Sequence, residues 1–559
     1  MSVFKGSLPF YLAVGLLQAM AMVLALEFEK ISVAVGVLVF GGHLQLLGSH
    51  FRQRGAWILA GLLALVLTLV TEWVLHEPSR WWREDWTLGA LIVGYTCSAF
   101  ILSWPSGSRL HLPYRELFRH AWNNALILLL ALLLTGLFWS LLQLCVSLFE
   151  MIGITAFKEV IKTRNFNIIS LSLVCSLGIR MGCENDKVIG MLRGILLNLC
   201  RFLAPLSALI VVLFTLALPF TGLESIWKTG HATTILLGLV AANIFLINGV
   251  FQDGNQPRPY PQWLMWGINA SLLALPVLVV LAGYSTWLRI EQYGLSPSRI
   301  VGLLSVVAAA LYSLAAVWAV LRSGSVWLGN WRVTNPWLAL LVCLVVVLIY
   351  TPWLNPQKFS ARDQVQRLKD GRTSPDSFDT YNLRNRLGKP GRQEFERLLA
   401  DMDSLQQFEP EVRARLKTRM YDTYNGAFRY IPKQPVPEHN FIWIGLPVDG
   451  HEQFSNPELG SLNCNRYRCG MWAVDLDGDG QNEVIQFSSE PSQMYFFRFD
   501  SDGVWKEAGR MDGPSHSAKK WADLVREGKT RVVEPTYRSL EIGGQLYTPT
   551  ETDRKSRHQ

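Results

Sequence analysis

Long apolar runs alternate with short polar segments over the first 354 positions of the chain. One helical crossing of a hydrocarbon layer about 30 Å thick needs about 20 predominantly apolar residues, and several runs approach or exceed this length. They are Pro9 to Leu26, Ile31 to Leu47, Ala56 to Leu75, Thr87 to Trp104, Trp122 to Phe149, Phe202 to Pro219, Thr233 to Val250, Trp263 to Leu288, Ile300 to Leu321 and Pro336 to Trp353. The pattern predicts an α-helical multi-pass transmembrane domain over residues 1–354.

One further run, Phe166 to Ile179, is shorter and carries Asn167 and three serines. It fits either a crossing helix or a re-entrant or interfacial helix. If it crosses, 11 helices cross in total, otherwise 10, and this choice decides which side the C-terminus occupies. Counting it as a crossing, with the N-terminus in the cytoplasm, places most loop arginines and lysines on the cytoplasmic side. We therefore expect an N-terminus inside and a C-terminal region outside.

The sequence turns polar after the last apolar run, and helical spacing continues for a short distance. Ser360 followed by Asp363 is typical of a capping box at the start of a helix. Apolar residues recur at helical spacing over residues 391–403 and 409–421. We expect a helical juxtamembrane or linker domain over residues 355–435.

Short strands and turns characterise the remainder, which we expect to form a small β-rich domain over residues 436–559. The predicted strands are Phe441 to Ile444, Met471 to Val474, Glu483 to Phe487, Met494 to Phe499 and Val504 to Glu507. We also expect hairpin turns at Asp500 to Gly503 and at Gly543-Gly544, and a surface helix over Ser517 to Glu527. The chain as a whole is then a membrane protein followed by a soluble α+β region.

Composition and charge agree with this division. Of 559 residues 50% are hydrophobic and 17% are charged, and the mean hydropathy is +0.21. These values exclude a purely soluble enzyme, a disordered chain and a small disulfide scaffold. The net charge of +8 lies almost wholly before residue 355, since about 30 basic and about 30 acidic residues balance each other after it. The sequence thus offers no basic tail for nucleic acid.

The segment from residue 475 to 483 carries the strongest local chemical signal. Asp475, Asp477 and Asp479 stand at alternate positions and Glu483 at the ninth, a spacing that offers several oxygens to a hard cation. The twelfth position lacks the glutamate of an EF-hand. The segment resembles the calcium loop of FG-GAP repeats, which implies Ca²⁺ held by these four carboxylates and by the carbonyl of Gln481. The alternative is an acidic hairpin that binds nothing.

Cys464 and Cys469 are the only cysteines outside the apolar region. A close pair in an extracytoplasmic domain favours a disulfide. In the cytoplasm the same pair would fit half of a zinc site, but no second Cys or His pair has suitable spacing.

Several polar residues fall inside or beside the predicted membrane helices, where they form either contacts between helices or a polar site. They are His43, Asn123, Asn124, Asn243, Asn248 and Asn269. Hydrogen bonding between helices is the simpler interpretation. Arg115 and Arg119 fit contacts with lipid phosphates at the cytoplasmic surface, although the positive-inside rule alone also accounts for them.

Two motifs resemble one known family. The first runs from Pro113 to Asn124, PYRELFRHAWNN, and leads into a long apolar helix. The second, after the last membrane helix, contains Asn355-Pro356, Ser360, Gln364, Arg367-Leu368, Gly371 and Phe378-Asp379. Both are similar to a bacterial multi-pass family known as domain of unknown function 4153. The resemblance spans about the first 400 residues and implies a membrane fold, here in a bacterial inner membrane, without implying an activity.

The sequence contains no phosphate-binding glycine loop, nucleophile elbow or zinc-binding histidine helix. Three functions therefore remain. The first is a non-enzymatic membrane protein whose periplasmic domain senses or docks a protein partner. The second is a transporter or lipid translocator, and the third is a transferase acting on lipid or glycan through Glu77, Glu84 or Asp85. All three have membrane lipids as partners.

Overall fold

The computed structural model describes residues 7–48, 54–77, 80–103, 113–154, 156–222, 231–254, 259–322, 326–404, 408–424, 436–456, 459, 464, 468–487, 494–500, 502–511, 523–527, 540–542 and 545–547. The expected Gly543-Gly544 turn and most of the expected surface helix over Ser517 to Glu527 lie outside these residues.

The described residues up to Tyr424 form helices and connections between them. The helices before residue 350 are α1 (Leu8–Glu27), α2 (Ile31–Leu47), α3 (Arg54–Leu75), α4 (Arg80–Ser103), α5 (Tyr114–Met151), α6 (Ala156–Lys162), α7 (Arg164–Glu184), α8 (Asp186–Thr221), α9 (Ala232–Phe251), α10 (Gln262–Tyr293), α11 (Pro297–Leu321) and α12 (Trp331–Ile349). They are followed by α13 (Pro356–Lys369), α14 (Gly388–Ala400) and α15 (Pro410–Tyr424).

Within the described ranges, 10 helices are long and apolar enough to cross a membrane: α1, α3 to α5 and α7 to α12. Helix α2 is equally apolar but has 17 residues. The short run Phe166 to Ile179 lies within α7, a helix of 21 residues. The protein is thus an α-helical multi-pass membrane protein, which confirms the predicted fold class.

Two helices extend well beyond the apolar runs that predict them. Helix α5 has 38 residues and α8 has 36. A hydropathy window detects the part of a helix that suits hydrocarbon, whereas backbone hydrogen bonding continues through polar residues. The first turns of both helices carry charged residues, Arg115 and Glu116 in α5 and Asp186 and Lys187 in α8, which lower the hydropathy of a window there.

Helix α7 packs along α5 in the opposite direction. Gly178 lies against Ala131, and one turn later Gly182 lies against Ile127, one turn earlier in α5. A Cβ atom at Gly178 would stand 2.6 Å from the Cα atom of Ala131, so only glycine permits this approach. Close approach at small residues is typical of packing between membrane helices. Helix α7 also packs extensively on α1.

The largest hydrophobic cluster is built around α10. Ile268, Leu272 and Leu275 of this helix are fully buried among side chains of α8, α9 and α11. Their spacing of three and four residues keeps them on one face of the helix. Helix α10 therefore lies at the centre of the later half of the helical region.

Helix α13 begins earlier than the sequence predicts. The Asn355 side chain accepts a hydrogen bond from the Gln357 backbone N–H, and Pro356 occupies the first turn. Asparagine at the N-cap and proline next to it are both favoured helix starts. The predicted capping box at Ser360 and Asp363 is therefore wrong, because both residues lie inside α13 and bind another part of the chain.

The chain divides into two compact units, residues 1–420 and 421–559. Helices α13 and α14 belong to the first unit together with the membrane helices. Their core contains Leu368, Leu383 and Phe395, all with less than 1% of their surface exposed. The polar composition of this segment marks where the lipid ends and does not mark the end of the compact unit.

The second unit contains a five-stranded sheet in the order β1 to β5. Its strands are β1 (Phe441–Ile444), β2 (Cys469–Val474), β3 (Glu483–Phe487), β4 (Met494–Phe499) and β5 (Trp505–Met511). The pair β1 and β2 is parallel and the other pairs are antiparallel. A separate hairpin joins β6 (Leu540–Ile542) and β7 (Gln545–Tyr547).

Both faces of the five-stranded sheet carry buried residues. Phe454, Phe497 and Trp505 pack on one face, whereas Ile485 and Phe487 pack on the other. The strand predictions are confirmed in position, with β2 starting two residues earlier and β5 extending four residues further. Strands β2 to β5 each pair antiparallel with the next strand in the sequence, which explains why these local patterns suffice.

Candidate functional site

The acidic loop joins β2 to β3. Val474, the last residue of β2, pairs with Glu483, the first residue of β3, so the loop is the end of a hairpin. One carboxylate oxygen each from Asp475, Asp477 and Glu483 lies within 4.8 Å of the others. Glu483 is buried and Asp477 is exposed. The hairpin thus brings together three of the four carboxylates that the sequence predicts.

Backbone N–H groups hold this loop in shape. The Asp475 carboxylate accepts hydrogen bonds from the N–H groups of Gly478 and Gly480, at 2.7 and 3.1 Å. The buried Glu483 carboxylate accepts from Leu476 N–H at 2.7 Å. Gly478 and Gly480 both have positive φ, near +80°, a conformation that favours glycine. The loop is therefore folded back around its own carboxylates.

The remaining two predicted ligands lie differently. Asp479 is exposed and its carboxylate accepts a hydrogen bond from Gln481 N–H at 2.7 Å. Asp479 does not belong to the three-carboxylate group. Of the four predicted carboxylates, three therefore converge and one lies apart.

A second acidic turn in the same unit offers a useful contrast. Between β4 and β5, the Lys506 ammonium lies 2.6 Å from Asp500 and 3.3 Å from Asp502. Hydrogen bonds to Asp500 and Asp502 raise the pKa of Lys506. Within the described part of the chain, no Lys or Arg pairs in this way with the carboxylates of the 475–483 loop. The charge of that loop is thus not balanced by the protein itself.

Cys464 and Cys469 are joined by a disulfide, with Cα atoms 5.5 Å apart. Cys469 is the first residue of β2, and both cysteines are buried beside Val436. Asn440 donates a hydrogen bond to the Cys464 carbonyl at 2.8 Å. The bridge therefore ties Cys464 to the first residue of β2.

Asn248 is the centre of a polar group between α5, α9 and α12. Its side-chain oxygen accepts hydrogen bonds from the Tyr114 hydroxyl at 3.0 Å, from Asn335 at 3.1 Å and from the Trp331 indole at 3.2 Å. Tyr114 is the second residue of the PYRELFRHAWNN motif, and Trp331 and Asn335 lie in the first turns of α12. One amide thus links three helices.

The other predicted amides also bind neighbouring helices. Asn124 donates to Ser98 at 2.9 Å and Asn243 to Ser207 at 3.3 Å. The side-chain oxygens of Asn123 and Asn269 accept from Arg193 at 2.7 Å and from Trp327 at 2.9 Å. Most of these partners lie far away in the sequence, which is why the pairing could not be read from the chain alone.

His43 differs from the amides. Its Nδ1 atom lies 2.7 Å from the Val39 carbonyl one turn earlier, while Nε2 is buried and has no partner among the described residues. Nearby in sequence, Gln45 donates to Gln18 and Ser176 at 3.1 and 3.0 Å. The predicted polar residues are therefore distributed over several helix contacts and do not form one site.

Arg115 and Arg119 lie on the first turns of α5, and each has an acidic neighbour. The Arg115 guanidinium lies 3.6 Å from Asp253 and that of Arg119 lies 2.6 Å from Glu116. Arg115 has 73% of its side-chain surface exposed. Both side chains thus lie at a partly open surface beside carboxylates.

The second family-like motif holds α13 against the turn between α10 and α11. Ser360 donates to the Leu295 carbonyl at 2.9 Å, and Asp363 accepts from Leu295 N–H at 2.7 Å. Arg367 donates to the Glu291 carbonyl at 2.7 Å. These polar side chains satisfy backbone groups at the end of a long membrane helix. The sequence predicts instead that Ser360 and Asp363 cap the start of their own helix.

A cavity of about 330 Å³ lies where α3 and α12 end, between them and helices α13 and α14. Glu77 lines it and is 5% exposed, with its carboxylate accepting Lys389 N–H at 3.1 Å. Glu84 and Asp85 are exposed on α4 and do not line the cavity. Of the three acids considered for a transferase, only Glu77 lines this cavity.

This cavity is not among the sites that the sequence predicts. Its walls combine residues 73–77 with residues 352–397, so they come from segments almost 280 positions apart. A signal was present in the lysines and arginines of α13 and α14, which recur on one helical face.

Fold and sites together define a multi-pass membrane protein with a β-rich second unit. The chain belongs to the family described as domain of unknown function (DUF4153), whose sequence model matches residues 31–398. The match begins at α2, ends within α14 and leaves the β-rich unit outside. No curated protein and no solved structure matched the chain.

Proposed function

We propose that the protein is a receptor or docking protein of a bacterial inner membrane, with its β-rich unit in the periplasm. The observation that carries the proposal is the convergence of Asp475, Asp477 and Glu483 at a hairpin end. Three carboxylate oxygens in a preformed loop suit Ca²⁺, which takes oxygen ligands in flexible geometry. Bound Ca²⁺ would stiffen the loop as part of a surface for a protein partner.

Helix contacts support the proposed orientation. The Glu77 carboxylate at the end of α3 binds Lys389 N–H, so these two points lie on one side of the membrane. Eight long apolar helices lie between them: α4, α5 and α7 to α12. An even number of crossings returns the chain to the same side, whereas seven crossings, without α7, would separate the two points. Helix α7 therefore crosses in the proposed arrangement.

The same arrangement sets the two ends of the helical region apart. With α1, α2 and α3 added, 11 helices cross, and residues before α1 and after α12 lie on opposite sides. The positive-inside rule then favours a cytoplasmic N-terminus, because the loops on that side carry most of the arginines. An oxidising periplasm also suits the disulfide between Cys464 and Cys469.

Calcium binding to the full-length protein in detergent tests the proposal. We expect calorimetric titration with CaCl₂ to give one site per chain with a dissociation constant of roughly 10⁻⁴ to 10⁻³ M, the range of extracellular calcium modules. The double variant Asp475→Asn/Asp477→Asn should lose the site. The matched control is Asp502→Asn, which removes a carboxylate from the turn that Lys506 already neutralises. Binding that survives the double variant, or no binding at all, would contradict the proposal.

The transporter or lipid translocator and the lipid or glycan transferase remain the second and third functions. One observation favours a role in contact with lipid: the cavity lined by Glu77 at the level where α3 and α12 end. If Glu77→Gln abolishes the function of the protein and Glu84→Gln/Asp85→Asn leaves that function unchanged, the transferase is favoured over the docking role.

A further inference from the structure

The cavity between the end of α3 and helices α13 and α14 has a strongly basic wall. Lys358 and Arg362 line it from α13, and Lys389 and Arg397 line it from α14. Positions 358 and 362 are four residues apart, so both side chains lie on the same face of α13. Both helices therefore contribute cationic residues to the wall of one partly open cavity.

These cations outnumber the carboxylates that line the cavity, which are Glu77 and Glu394. The guanidinium groups of Arg362 and Arg397 share Glu394, at 3.8 and 2.9 Å. In the described structure, no carboxylate pairs with the ammonium groups of Lys358 and Lys389. Two positive charges on this wall are thus left for a ligand.

Glu77 holds the wall in place. Its buried carboxylate accepts Lys389 N–H at the first turn of α14, where a negative charge suits the free N–H groups of a helix start. The preceding residue, Gly388, has φ +62°, and a Cβ atom there would stand 2.6 Å from the Gln357 side chain. The turn that presents Lys389 to the cavity is therefore closely packed.

The cavity lies at the depth of lipid headgroups. Trp73 lines it two residues before α3 ends, and Pro352 lines it three residues after α12 ends. The ends of apolar helices mark the boundary of the hydrocarbon layer, and tryptophan is typical of that boundary. A ligand here could place an anionic group among the lysines and an apolar part beside Trp73.

We propose that this cavity binds a phosphate group, carried by the headgroup of an anionic membrane lipid or by a soluble phosphate ester. Two unpaired lysines and two arginines held by one glutamate suit a phosphate, which accepts several charge-assisted hydrogen bonds. A volume of about 330 Å³ accommodates such a headgroup. The site lies on the face opposite Arg115 and Arg119 and does not depend on the calcium loop.

Native mass spectrometry of the full-length protein in detergent tests the proposal with two lipids that differ in phosphate. We expect phosphatidylglycerol to bind and diacylglycerol to bind weakly. The double variant Lys358→Gln/Lys389→Gln should weaken phosphatidylglycerol binding roughly tenfold to thirtyfold, since each lysine near an anionic headgroup contributes a several-fold effect. The control Arg386→Gln/Arg392→Gln also removes two positive charges from this region, but neither residue lines the cavity.

Competition with inorganic phosphate separates the two sources of the phosphate. Lipid binding that depends on the lysines and resists millimolar phosphate identifies a membrane lipid. Displacement by phosphate, with the same dependence on the lysines, identifies a soluble ester. Equal binding of both lipids, or equal loss in the double variant and its control, would overturn the proposal.

A second variant covers the case in which the lysine variant does not fold. Gln393 is exposed and lines the cavity, so Gln393→Glu adds a negative charge with little effect on packing. It should weaken phosphatidylglycerol binding, while Lys358→Arg/Lys389→Arg should retain it. Unchanged binding in Gln393→Glu would count against the proposal.

Discussion

The helical unit and the β-rich unit treat apolar side chains in opposite ways. On α5, Leu133, Leu137 and Leu141 have more than half of their surface exposed, whereas Phe454 and Phe497 in the β-rich unit are almost completely buried. Exposed leucines on a long helix suit contact with lipid, whereas aromatic burial is typical of a fold surrounded by water. The difference shows that one chain folds in two surroundings, lipid for the helical unit and water for the β-rich unit.

This difference also separates the forces that stabilise each unit. In water the burial of apolar surface drives folding. Between membrane helices that driving force is absent, and close packing and hydrogen bonds take its place. Gly178 against Ala131 and the bonds to Asn248 exemplify the second case. The same kind of substitution should therefore have different effects in the two units.

The largest expected contrast is one of accessibility. Cys464 and Cys469 should react with a membrane-impermeant thiol reagent in cells whose outer envelope alone is permeable, and only after reduction of their disulfide. The other six cysteines are replaced by serine for this measurement; they are Cys97, Cys145, Cys175, Cys183, Cys200 and Cys343. All-or-none labelling is expected, because the proposed orientation places the whole β-rich unit outside.

A cytoplasmic position predicts the reverse pattern. Labelling would then require a broken inner membrane and no reduction. That result would also mean that α7 does not cross or that the N-terminus lies outside, and it would remove the periplasmic docking role.

A second contrast concerns core packing. Phe497→Ala should lower the free energy of unfolding of the β-rich unit by about 3 to 5 kcal/mol, the range for loss of a buried phenylalanine. Leu141→Ala on α5 should change stability by only about 0.5 kcal/mol or less, because an exposed side chain leaves no cavity. Resistance to pulse proteolysis of the full chain in rising urea measures both.

Equal loss in the two variants would contradict the division into two surroundings. It would show that Leu141 is covered in the native protein, for instance by a partner that packs on α5.

Local patterns explain why most elements could be predicted from the sequence. An apolar run such as Thr233 to Val250 and a strand such as Glu483 to Phe487 both depend on residues that are adjacent in the chain. The family-like motifs were also recognisable, and the match over residues 31–398 confirms them. The start of α13 was missed although its signal, Asn355 followed by Pro356, is local. Ser360 and Asp363 have the spacing of a capping box, and their actual partner, Leu295, lies 65 or more positions away.

The same distinction between local patterns and long-range contacts separates the two candidate sites. The acidic loop could be located because its carboxylates lie within nine residues and meet at one hairpin. The basic cavity could not, because Glu77 and Lys389 are 312 positions apart in the chain. Contacts of this kind arise only when helices have packed, and the basic residues that recur on α13 and α14 do not by themselves indicate what lies opposite them.

The smallest expected contrast lies within the helical unit, between two amides that the sequence analysis interpreted alike. Asn248 accepts three hydrogen bonds, whereas the Asn269 oxygen accepts one from Trp327. Hydrogen bonds between membrane helices contribute about 0.6 kcal/mol each on average. Asn248→Leu should therefore cost about 2 kcal/mol and Asn269→Leu about 0.6 kcal/mol.

Thermal unfolding of both variants in the same detergent measures this difference. Asn248→Leu leaves the Tyr114 hydroxyl and the Trp331 indole without their acceptor, while Asn335 retains its bond to Tyr114 at 3.3 Å. A loss no larger than that of Asn269→Leu would mean that Tyr114 and Trp331 find other acceptors. Asn248 would then be one helix contact among many, and the stability of this unit would depend on close packing such as that of Gly178 against Ala131.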